Sequence, residues 1–107
     1  MQKCVQDELN LLQKIIVKTV PVDKIYLFGA FADGKYHDDE DINLCVLIPD
    51  YVNMREIDVI RQIRQAIRDQ KTMPVELVVS KKNVFNMRKL LPGIEQQISQ
   101  EGKVLYG

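Results

Sequence analysis

The chain has 107 residues, 46% hydrophobic and 28% charged, which suits one compact core and excludes the disordered, collagen-like and fibrous classes. Fifteen Lys and Arg offset fifteen Asp and Glu, so no overall field draws the chain to a nucleic-acid backbone or an anionic membrane. The longest apolar runs, such as 44–48, fall far short of the roughly 20 residues that span a bilayer. Residues 1–12 lack the basic start and unbroken apolar stretch of a secretory signal, which points to the cytoplasm. Cys4 and Cys45 are too few for a disulfide framework and lack zinc spacing, so both are expected to be reduced thiols.

Val5, Leu9, Leu12 and Ile16 recur at helical spacing among polar residues, predicting an amphipathic helix over 5–18 that ends before Pro21. Residues 24–28, KIYLF, are β-branched and aromatic and run into Gly29, the pattern of a short buried strand stopping at a glycine turn. A loop is expected over 31–41. Ile42, Leu44, Val46 and Ile48 then alternate with Asn43, Cys45 and Leu47, predicting a second strand with one strongly apolar face, closed by Pro49. Asn53 with Glu56 three residues on resembles a capping box, and Ile57, Ile60, Ile63 and Ile67 give the following helix a buried stripe up to about Lys71. Residues 75–79, VELVV, form a third strand behind Pro74. Short helices over 84–91 and 94–100 are separated by Pro92 and Gly93, and 103–106 adds a last strand. The expected architecture is α/β of the α+β type, a small mixed sheet flanked by helices in one domain over 1–107.

Fold class does not define chemistry. Asp41 and Asn43 lie two residues apart, so in a strand they share one face while Ile42 and Leu44 turn to the core. Glu76 lies between Val75 and Leu77 and faces away from them; if the second and third strands are neighbours, it converges on Asp41. Two carboxylates and a carboxamide suit magnesium, a hard cation that takes oxygen ligands together with substrate phosphate. Gly29 would let the backbone approach that phosphate with no Cβ in the way. Each residue also has a plainer reading. Asp41 fits a solvated acidic loop with Asp38, Asp39 and Glu40, and Glu76 fits an outward strand position in water. His37 stands alone in a polar loop, and Arg61, Arg64 and Arg68 read as solvated charge near Asp58 and Asp69.

Residues 25–48, IYLFGAFADGKYHDDEDINLCVLI, resemble the signature of the minimal nucleotidyltransferases of the DNA-polymerase-β-like superfamily: an apolar strand, a Gly-Ser pair, a loop, then Asp-x-Asp in an apolar strand. Gly29 and Ala30 stand at the Gly-Ser place, residues 41–44 at the Asp-x-Asp-Leu place, and Gly34 at a second loop glycine. Glu76 falls where that family has its third acid, and 95–106, EQQISQEGKVLY, resembles its final helix and strand. The resemblance implies the polymerase-β-like palm fold. It also implies transfer of a nucleoside monophosphate, AMP in the first place, from ATP or another nucleoside triphosphate to an acceptor hydroxyl, with two magnesium ions. Asp41, Asn43 and Glu76 would be the catalytic and metal-binding residues, Gly29 and Ala30 would hold the triphosphate, and a helical HEPN-type protein would be the partner in a toxin–antitoxin-like pair.

Three residues depart from the pattern. Ala30 replaces a serine, removing a hydroxyl donor worth about 1 kcal/mol but keeping the backbone amide. Asn43 replaces the second aspartate and removes a negative charge from a site meant for two divalent cations, and Asp33 stands where many relatives carry a basic residue. Asp38, Asp39 and Glu40 would compensate in part. The alternative function is therefore a catalytically inactive family member serving as a partner-binding or regulatory module.

Overall fold

The computed structural model describes residues 3–37 and 40–107, so Asp38 and Asp39, expected to support the site, lie outside the described residues. Along the chain run α1 (Lys3–Thr19), β1 (Lys24–Phe28), α2 (Ala30–Asp33), β2 (Ile42–Ile48), α3 (Glu56–Ile67), β3 (Val75–Lys81), α4 (Lys82–Arg88), α5 (Ile94–Glu101) and β4 (Lys103–Tyr106). The four strands form one mixed sheet in the order β3-β2-β1-β4. β1 is antiparallel to β2 and to β4, whereas β2 and β3 run parallel, joined through α3.

Strand alternation sends Ile42, Leu44, Val46 and Ile48 to the face covered by α1 and α3, where they meet Leu9, Leu12, Ile16, Val59, Ile63 and Ile67 in one core. The opposite face is apolar too. Cys45 and Leu47 are buried there with Phe85 of α4 and Ile98 of α5, and the Tyr26 ring stacks on Phe85 at 5.7 Å. The central strand is thus buried on both faces, rather than on the single apolar face expected, because α4 and α5 return to cover its second side. Burial, followed by the charge of Glu95, pushes the Cys45 thiol up to about 12. Among the described residues no helix is long and apolar enough to cross a membrane.

Two local expectations are corrected. Asn53 does not cap α3: Arg55 holds the N-cap position in extended conformation without a side-chain cap bond, and its guanidinium binds Asp58 at 3.0 Å instead. Because the helix begins at Glu56, its buried series is Val59, Ile63 and Ile67, and Ile57 is 47% exposed. The expected loop over 31–41 starts with the short helix α2. Phe31 and Ala32 plug it into the core, Tyr36 stacks on Phe31 at 4.4 Å, and Gly34 ends it in the left-handed region at φ 73°.

A carboxylate of α1 aligns the parallel pair. Glu8, 5% exposed, accepts hydrogen bonds from the backbone N–H of Thr72 at 2.7 Å, the Thr72 hydroxyl at 3.1 Å and the Met73 N–H at 3.1 Å. Directly beyond, the Pro74 carbonyl accepts the Ile42 N–H at 2.9 Å, which sets the start of β3 against the start of β2. Removing the carboxylate strands two backbone donors, so Glu8→Ala is expected to lower the unfolding free energy in urea titration by about 2 to 4 kcal/mol. A loss below about 0.5 kcal/mol would contradict this role. Cys45 is expected to stay unreactive towards Ellman's reagent at pH 8 until the chain is unfolded, since a thiol titrating near 12 has almost no thiolate there.

Candidate functional site

The register places three side chains in one row across the end of the sheet. Phe28 of β1 lies opposite Asn43 of β2, and Asn43 lies opposite Glu76 of β3. Residues paired in this way project from the same face, with strands about 4.8 Å apart. This is the face covered by α4 and α5. The row reaches solvent at its two polar members: Asn43 is half-buried and Glu76 is exposed, while Phe28 packs on the core of this face. Asp41, half-buried just ahead of β2, makes no hydrogen bond or ion pair among the described residues. Glu76 is therefore aligned with Asn43, two positions further along the chain than Asp41.

Gly29 adjoins this row at the end of β1. Its φ of 79° and ψ of −153° lie in a region closed to residues with a Cβ. A Cβ built there would sit 2.6 Å from the Asn43 amide nitrogen, so the carboxamide occupies the space that the glycine leaves open. The Gly29 carbonyl accepts the N–H groups of Ala32 and Asp33 at 3.1 and 3.3 Å, turning the chain directly from β1 into α2 with Ala30 as its first residue. Gly29, Ala30, Asn43 and Glu76 are thus brought to one end of the sheet.

Some participants are not apparent in the sequence. Arg64, read there as solvated charge, reaches Glu76 Oε2 at 3.6 Å from α3. Its neighbours Arg61 and Arg68 do pair with Asp58 and Asp69, at 3.6 and 3.9 Å. A cleft of about 210 Å3 opens beside Gly29, walled by Phe28, Asp33 and, from α5, Ile94, Gln97 and Glu101. The two carboxylates repel a phosphate chain from the cleft itself, but they can accept hydrogen bonds from hydroxyl or amino groups.

The oxygens of Asp41, Asn43 and Glu76 are of the kind a hard cation takes, so the donor chemistry fits magnesium. The charge is thin for two such ions. One donor is neutral, Arg64 competes for Glu76, and among the described residues no group of three or more His, Cys, Asp or Glu is gathered to hold a metal.

The fold is shared with known proteins. The sequence model described as Polymerase beta, Nucleotidyltransferase matches residues 10–107, and the chain belongs to this nucleotidyltransferase family. No curated protein gives a significant sequence match. Among solved structures, a toxin–antitoxin with AMP-PNP is 25% identical over 92% of this chain and 73% of its own, with a TM-score of 0.59. The MntA-HepT toxin–antitoxin, at 23% identity over 95% of this chain and 72% of its own, shares the fold at a TM-score of 0.53. So does a candidate nucleotidyltransferase from Sulfolobus solfataricus, at 18% identity over 97% and 86% of the two chains, with a TM-score of 0.59.

The Gly29 geometry yields a test. Gly29→Ala is expected to cost about 1 to 3 kcal/mol of stability from the backbone conformation alone. Combining it with Asn43→Ala, which removes the clashing amide, should recover only part of that loss in urea denaturation. Wild-type stability in the single variant would contradict the glycine requirement.

Proposed function

We propose that the chain holds the phosphate tail of a nucleoside triphosphate at the Gly29 turn and transfers its nucleoside monophosphate, AMP, to a hydroxyl on a partner protein. The observation that carries this reading is the meeting of Gly29, Asn43 and Glu76 at one end of the sheet. Gly29 and the Ala30 amide receive the tail. The Asn43 amide nitrogen, turned toward Gly29, donates to a phosphate oxygen, and its carbonyl oxygen joins Asp41 as a cation ligand. An Asp and an Asn serve together as magnesium ligands in protein kinases, so the pairing is compatible with phosphoryl chemistry. Magnesium, when bound with the nucleotide, supplies neutralisation of the charge that grows on the α-phosphate.

Glu76, exposed at the end of the row, accepts the proton of the acceptor hydroxyl. The acceptor oxygen forms its bond to the α-phosphorus as the bond to the bridging oxygen breaks, and pyrophosphate leaves. The partner fits a helical protein of HEPN type in a toxin–antitoxin-like pair, a reading supported by solved relatives that are toxin–antitoxin complexes, one of them with AMP-PNP.

A second reading is favoured by Asn43 and by the Arg64–Glu76 pair: the site binds nucleotide and no longer transfers it, and the chain acts as a partner-binding module. Calorimetry with ATP, with and without magnesium, separates the two. Asn43→Asp is expected to tighten binding roughly tenfold with magnesium and to weaken it without, since affinity for such cations follows ligand charge. Glu76→Gln should lower adenylate transfer to a co-purified partner about 100-fold or more while leaving ATP affinity near wild type. Transfer by Asn43→Asp alone would establish the second reading, and absence of ATP binding in both forms would overturn the phosphate site.

A further inference from the structure

The chain's exposed large apolar side chains are concentrated in one segment. Val84, Met87, Leu90, Leu91 and Ile94 are 40%, 70%, 75%, 65% and 46% exposed. Val84 and Met87 lie three residues apart on α4, and Leu90 and Leu91 follow in the turn past its end, where their N–H groups donate to the Met87 and Arg88 carbonyls at 3.3 and 3.0 Å. α4 is held to the sheet from its other side, by buried Phe85 stacked on Tyr26 and by the Asn83 N–H donating to Asp50 at 3.0 Å. The exposed apolar side chains are therefore not needed to hold α4 in place, and a contiguous apolar patch of this kind marks an interaction surface.

Charge specifies what fits it. Residues 81–93 carry Lys81, Lys82, Arg88 and Lys89 and no acid, in a chain whose formal net charge is zero. Lys82 and Arg88 are engaged only loosely, with Asp23 at 3.9 Å and Glu95 at 3.8 Å, and Lys89 makes no ion pair among the described residues. A partner must match the exposed apolar side chains of α4 and of the turn after it inside a basic border. The patch is also continuous with the candidate site, because Ile94 belongs to it and walls the cleft beside Gly29.

We infer that α4 and the turn after it form the docking surface for a partner protein's amphipathic helix whose apolar face is flanked by carboxylates. The docking needs no nucleotide. Only its further consequence, that the docked protein presents its hydroxyl at the neighbouring cleft, rests on the proposed transfer function.

The test uses two fluorescein-labelled peptides of about 18 residues, five helical turns, with the same leucine stripe and either glutamate or lysine flanks. In fluorescence anisotropy the glutamate peptide is expected to bind the full chain at least tenfold more tightly than the lysine peptide, and to weaken as salt is raised. The double variant Met87→Asp, Leu91→Asp should abolish that binding while its thermal melt and ATP affinity stay at wild-type values, since both side chains are exposed. Equal binding of the two peptides, no binding of either, or full binding by the variant would overturn the inference. So would light scattering that finds a wild-type dimer and a variant monomer, which would make the patch a contact between two copies. A single-stranded RNA that displaces the glutamate peptide would assign the basic border to nucleic acid instead. Failure of the nucleotide reading is seen separately, as lost ATP binding with peptide docking intact.

Discussion

The parallel pairing of β2 with β3 is the constraint on which the remainder depends. Asn43 and Glu76 come from segments separated by the whole of α3, and only this register sets them side by side. A parallel ladder has no hairpin to fix its register, so other contacts must do so. Here Glu8 reaches from α1 to hold the backbone of Thr72 and Met73, and Pro74 meets Ile42 one step before the site begins. A one-residue slip would turn Glu76 toward the apolar core, where an unpaired carboxylate is costly. Site alignment and fold stability are thus set by the same buried carboxylate.

Electrostatics give the site its particular character. A strand end with three carboxylates would repel itself and hold cations tightly. This one keeps Asp41 and Glu76, exchanges the middle charge for an amide at Asn43, and draws Arg64 to 3.6 Å from Glu76. The amide can donate hydrogen bonds where a carboxylate only accepts them, and it lowers the negative charge of the row. Asp33 and Glu101 oppose phosphate within the cleft that Gly29 also lines.

Much of this was legible in the sequence wherever the signal is local. The strands over 24–28 and 103–106 are found with the expected bounds because β-branched and aromatic runs end at glycine or follow it. The turn at Gly29 is read from the apolar run that ends there, and the outward face of Glu76 from its place between Val75 and Leu77. What escapes is non-local. Glu8 looks like another polar residue of α1, and its partners lie 64 and 65 positions away. Arg64 is indistinguishable from Arg61 and Arg68 until α3 is laid against β3. The helix α2 is hidden because Phe31 and Ala32 sit in an otherwise polar stretch, and their burial comes from the tertiary core. Asn53 and Glu56 carry a valid capping pattern, overridden when α3 begins at Glu56 with Arg55 paired to Asp58.

The central claim is that the turn at Gly29, joined by Asn43 across the sheet, receives the phosphates of a nucleotide. Backbone amide NMR of the wild-type chain during ATP titration tests it most directly. The account predicts saturable shifts concentrated at Gly29, Ala30 and Asn43, with α1 and the far end of the sheet unchanged. Saturable shifts confined to other parts of the molecule, or none at millimolar ATP, would contradict it.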